Sequence, residues 1–152
     1  MLRLNKLYLL IAGAVSFFLF YAVAAKADVW DQSTEMTFSA PIQVPGRTLP
    51  AGTYRFKLAN LTDRNFVQIF NADGTVLYGT FMTDPTLRPD ASDRTAVSLV
   101  TSAQGGPDAL QKWFYPGDTT GHEFVYPKHE QELLAQGHQQ NIVVNGHAES
   151  GD

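Results

Sequence analysis

Most of the side chains able to do chemistry in this chain gather in one stretch. It runs Trp113-Phe114-Tyr115-Pro116-Gly117-Asp118-Thr119-Thr120-Gly121-His122-Glu123-Phe124-Val125-Tyr126-Pro127. Two kinds of chemistry are open to it. Asp118, His122 and Glu123, with His129 just beyond, supply the carboxylates and imidazoles of a hydrolytic or metal-dependent site. Trp113, Tyr115 and Tyr126 supply stiff amphipathic rings on which a sugar or a peptide can stack.

Spacing weighs against the first. If Phe124 to Tyr126 is extended, His122 and Glu123 project to opposite faces and cannot both hold one ion. His129 and Glu132 meet on a helix, but zinc sites use three or four ligands, and no paired-His spacing is present. Asp118 and Glu123, set around a glycine-containing loop, lack the alternating oxygens of a calcium site. Cys is absent and there is no Gly-x-Ser-x-Gly elbow, so an activated nucleophile has no recognisable frame. Gly105-Gly106 runs into Pro107 rather than a helix start, so no phosphate cradle forms there. The sequence therefore implies no metal, no cofactor and no assignable catalytic residue. A hydrolase built on Asp118, His122, Glu123 and His129 remains the alternative, since any of 15 acidic residues could converge.

The leading expectation is a non-catalytic binding surface made from Trp113, Tyr115, Asp118, His122, Glu123 and Tyr126. Its competitor places Trp113, Phe114, Phe124 and Tyr126 in a core, contributed by two neighbouring strands joined across Gly117 to Gly121. The two differ in one observable, the solvent exposure of these rings.

The elements that must position this stretch alternate with a period of two. Met36, Phe38, Ala40, Ile42 and Val44 fall on one face of an extended segment and Pro41 on the other, which suits an edge or a bulge. Pro45-Gly46 is a turn. Tyr54, Phe56 and Leu58 point inward from a second strand, with Arg55 and Lys57 outward. A turn is expected over Asn60 to Arg64, then a central strand from Phe66 to Phe70. A hairpin loop at Asn71-Ala72-Asp73-Gly74 follows, and a return strand from Thr75 to Met82 whose register the pattern leaves open. Asp84 to Asp93 reads as a loop. In the strand from Thr95 to Thr101, Val97 and Leu99 alternate against Ala96, Ser98 and Val100. Beyond the aromatic stretch, Lys128 to Gln136 is made of helix formers between Pro127 and Gly137, and Ile142 to Val144 reads as a short strand. The fold expected is mostly β: a single-domain antiparallel sandwich, or an open barrel, over residues 28–140. One short C-terminal helix and a flexible tail over 141–152 complete it.

Residues 1–27 read as a secretory signal peptide. Arg3 and Lys6 precede an apolar run from Leu7 to Ala25, and Ala25-Lys26-Ala27 has the small-x-small form of a cleavage site. Retention as a membrane anchor is the competing reading, because that run is long enough to span a bilayer. Cleavage leaves 125 of the 152 residues, with 8 basic and 15 acidic side chains and a net charge of −7. Such a surface disfavours nucleic acid and anionic headgroups, and leaves an unidentified ligand or envelope component as partner. Membrane contact is expected only through an uncleaved signal segment.

One resemblance goes beyond these readings. Pro45-Gly46, Leu49-Pro50-Ala51-Gly52-Thr53-Tyr54, Asp63-Arg64-Asn65 and Asn71-Ala72-Asp73-Gly74 occur in that order. They are followed by Trp113 to Asp118 and Gly121 to Pro127. The set resembles a group of small exported bacterial β-domain proteins without assigned function. The resemblance spans about residues 36–130, implies export to the periplasm or beyond and a β fold, and transfers no catalytic residue.

Overall fold

The computed structural model describes residues 32–59 and 65–143. The expected signal segment, the turn over 60–64 and the tail beyond Val143 lie outside these residues. Among the described residues the chain forms ten strands and one helix. The strands are β1 (Ser33–Phe38), β2 (Ile42–Val44), β3 (Arg47–Leu49), β4 (Gly52–Leu58), β5 (Phe66–Asn71), β6 (Leu77–Leu87), β7 (Ala96–Thr101), β8 (Asp108–Phe114), β9 (Thr120–Phe124) and β10 (His138–Val143). The helix α1 (Lys128–Leu134) lies between β9 and β10.

The strands make one open, unclosed sheet in the order β1-β4-β5-β6-β9-β8-β2-β3, with β7 on the other side of β8 and β10 beyond it. All pairings are antiparallel except that of β2 with β8. The sheet folds over on itself. Phe56 of β4 meets Trp113 of β8 with ring centroids 6.0 Å apart, and Phe81 meets Phe124 at 6.2 Å. Between the two halves lies a single core containing Met36, Phe56, Val67, Ile69, Leu110 and Trp113. The mostly-β expectation with one short helix is what the chain forms.

The hinge between the halves is β6. Its first part pairs with β5 (Phe66 opposite Met82) and its second with β9 (Thr83 opposite Phe124, Leu87 opposite Thr120). Asp84 to Leu87, expected as loop, is therefore strand. Pro85 is tolerated for a geometric reason. The bonds Val125 N–H to Met82 O and Arg88 N–H to Thr119 O set the phase of the ladder and make Pro85 and His122 a non-hydrogen-bonded pair. No amide of residue 85 is called for on that side.

A second correction concerns Met36 to Val44, which is two strands rather than one. Phe38 pairs with Gly52, the first residue of β4, so the ladder has no partner beyond it. At Ser39-Ala40-Pro41 the chain crosses to the other half, and Ala40 is exposed rather than inward. β7 is a third, because Val97, Ser98, Leu99 and Val100 are all buried. It runs between β8 and β10, its register shifts at Ser98/Leu99, and Gly137 packs against the Val100 side chain. The β6 register resolves through an irregularity at Ile69/Phe70 that turns Phe81 inward and leaves Val76, Leu77 and Met82 exposed. Finally, β10 begins at His138 and runs through Val143, so residues 141–143 belong to the sheet rather than to a tail.

Other features follow the expected lines. β4 buries Tyr54, Phe56 and Leu58, and β5 lies between β4 and β6. Gly46 and Gly74 take φ of 75° in their turns, a region that costs glycine nothing. α1 ends where Gly137 N–H bonds Leu134 O.

Candidate functional site

Each residue of the aromatic stretch has a definite place. Trp113 is fully buried, its ring stacked on His122 at 5.4 Å, and its indole N–H donates to Thr34 Oγ1 at 3.0 Å. His122 is buried, with Nδ1 3.3 Å from Thr83 Oγ1. Tyr126 is buried. Its hydroxyl donates to Leu110 O at 2.7 Å and lies 3.1 Å from Gln43 O. Burial, with a smaller contribution from Glu130, pushes its phenol far above the usual tyrosine range. Tyr115 is half-buried against the core. Asp118 accepts from Gln32 Nε2 at 2.7 Å, and its carbonyl accepts from Arg88 Nε at 2.8 Å. Glu123 faces outward, 3.7 Å from Lys112 Nζ, and His129 is exposed on α1.

Two consequences follow. Trp113 and Tyr126 present no face to water, so the expected platform of Trp113, Tyr115 and Tyr126 is not what these residues form. A second half of the sheet covers them, and their polar atoms are satisfied inside. Their bonds to Thr34 and Gln43, with that of Asp118 to Gln32, instead join β8, β9 and the segments after them to the start of the described chain. Nor do Asp118, His122, Glu123 and His129 come together. Each has a separate setting, and among the described residues no group of three or more His, Cys, Asp or Glu is arranged to hold a metal.

What the stretch does present to solvent is the reverse face of β8 and β9. Register lines up a polar row across five strands: Asp84 opposite Glu123, Glu123 opposite Lys112, Lys112 opposite Ser98 and Ser98 opposite Asn141. Beside it Phe114 lies over Gly121, where a Cβ would come within 2.6 Å of the ring. The Arg88 guanidinium caps that ring at 4.9 Å from its centroid.

A cleft of about 360 Å³ opens over this face, walled on one side by Leu87 and Arg88 and on the other by Gln139, Asn141 and Ile142. Lys112, Ser98 and Phe114 also line it. Ser98 Oγ bonds Asn141 Oδ1 and accepts from Gln139 Nε2 at 3.2 Å. A second cleft of about 360 Å³ lies where β1 gives way to β2, lined mainly by Phe38, Ala40, Pro41, Ile42, Leu99 and Ile142.

Sequence reasoning missed Arg88, Ser98, Lys112, Gln139 and Asn141. No local signal marks them, because they meet only through the pairing of strands distant in the chain. Comparison with protein-family models, curated proteins and solved structures returned no match. Among the described residues no helix is long and apolar enough to cross a membrane.

Proposed function

We propose that the chain is an exported, non-catalytic protein of the envelope or periplasm. It binds a ligand or envelope component at the outer face of β7, β8 and β10, next to the Trp113–Tyr126 stretch. The observation that carries this reading is the cleft of about 360 Å³, within the size range of small-ligand sites, with polar groups around an apolar floor. Export is supported by the charged start, apolar run and Ala-x-Ala site at residues 1–27. The hydrolase alternative finds no comparable support, since its four residues are dispersed.

Two measurements test the proposal. N-terminal sequencing of exported material should begin at Asp28, and an intact Met1 in the membrane fraction would refute cleavage. Amide spectra of the ¹⁵N-labelled chain should move at Ser98, Lys112, Gln139 and Asn141 when a solubilised envelope extract is added. Cleft resonances unmoved by any fraction of that extract would sink the binding reading.

A further inference from the structure

We infer that the ligand of this cleft is a small monocarboxylate carrying an apolar group. The inference rests on the binding reading above and names its chemistry.

The chain is acidic overall, yet two cations line this one cleft, Arg88 and Lys112. Arg88 is held firmly. Its Nε donates to Asp118 O at 2.8 Å, its Nη2 lies 3.5 Å from Tyr115 O, and its Cζ lies over the Phe114 ring, 4.9 Å from the centroid. Nη1 takes no part in those bonds. A guanidinium fixed in this way loses little freedom when it binds a carboxylate, for which its fork is shaped. Lys112 lies in the polar row with Glu123 at 3.7 Å, a partly exposed pair of the kind that contributes little and exchanges partners readily.

The carboxylates nearby limit how much negative charge the ligand can carry. Asp90 lines the same cleft and Glu123 borders Lys112, so two cations are offset by two carboxylates. On a chain of formal net charge −4, a dianionic phosphate meets more repulsion than a monoanion does. Outside the bonds they make with Ser98, Gln139 offers its amide oxygen and Asn141 its amide nitrogen to a neutral polar atom. Leu87, 77% exposed, and Ile142, 38% exposed, stand on opposite walls and form an apolar rim for the rest of the ligand. Free organic acids and the C-terminal carboxylates of very short peptides share this chemistry.

The test is a titration of the ¹⁵N-labelled chain with benzoate, with its neutral isostere benzamide, and with N-acetyl-alanine as the peptide-like acid. Benzoate is expected to shift Ser98, Lys112, Gln139 and Asn141 saturably, and benzamide to leave them in place. Lys112→Gln should weaken benzoate about tenfold. Glu123→Gln, which removes the competing carboxylate, should tighten it by about two- to threefold, a gain that misfolding cannot produce. Tighter binding of N-acetyl-alanine than of benzoate assigns the peptide source, and the reverse a free acid. Equal shifts with benzamide, or unchanged benzoate affinity in Lys112→Gln, overturn the carboxylate class while leaving the cleft a binding site. Silence toward these acids, with shifts caused by the envelope extract, also overturns this inference alone. Silence toward everything overturns both.

Discussion

The substitution Gly121→Ala tests how closely β9 packs on β8, and its effect can be worked from the structure. A Cβ at position 121 would lie 2.6 Å from Phe114 Cε1 and 2.7 Å from the carbonyl oxygen of Trp113. The ring has some freedom to swing, but the Arg88 guanidinium sits over it, 4.9 Å from the centroid. The carbonyl belongs to the backbone of β8 and cannot move without disturbing its pairing with β7 and β9. Two effects oppose each other. Losing glycine's freedom in the unfolded chain stabilises by about 0.4–1 kcal/mol. Overpacking costs about 1–3 kcal/mol, and a backbone neighbour puts this site at the upper end. The clash wins, for a net loss of about 2 kcal/mol.

With a urea m-value of about 1–3 kcal/mol/M, the midpoint should fall by about 0.7–2 M at unchanged m. Adding Phe114→Leu should recover part of the loss, because the ring is one of the two obstacles and the two sites couple. A midpoint equal to or above that of the parent would refute the close approach of β9 to β8, and with it the seating of Phe114 and Arg88 in the cleft.

Two further outcomes are expected. In a Thr34→Val and Trp113→Phe cycle, Trp113→Phe should cost about 2–3 kcal/mol, and the double variant should be about 1 kcal/mol less unstable than the sum of the two. Strict additivity in urea melts would show that the indole N–H does not reach Thr34. Because the folded state holds the Tyr126 phenol protonated above its ordinary range, that contribution to stability is intact below pH about 10 and is lost as pH rises beyond it. Urea midpoints should therefore fall above pH about 10, and less steeply in Tyr126→Phe. An identical alkaline limb in both proteins would contradict the buried phenol.

How much of this was legible in the chain depends on the range of the forces involved. β4 could be read outright, since Tyr54, Phe56 and Leu58 against Arg55 and Lys57 is a pattern that only a half-buried strand satisfies. So could the Asn71–Gly74 turn, where Gly74 takes a positive φ, and the stop of α1 at Gly137, where Thr101 and Val100 leave no room for a side chain. β6 defeated the pattern because Pro85 argues against a strand unless the phase of its hydrogen bonds is known, and that phase is set by β9. β10 was half missed, since His138 to Asn141 are polar on both faces and the segment is held by the edge of β7 rather than by burial.

The site divides in the same way. The aromatic stretch announced its weight, but whether Trp113 faces water depends on Thr34, 79 residues earlier, arriving to cover it. Both outcomes are compatible with the same residue types. The cleft was invisible because Arg88, Lys112, Ser98 and Asn141 become neighbours only through the register of strands remote in the chain.

The central claim is that the aromatic stretch turns its rings inward, joining the two halves of the sheet, and gives only its reverse face to solvent. Hydrogen exchange at the Trp113 indole N–H, followed by NMR in a Trp30→Phe background so that a single indole signal remains, tests it most directly. The structure predicts exchange slowed to the rate of the most protected core amides, because release requires the halves to part. Exchange as fast as that of a free indole would place the ring in water and contradict the account.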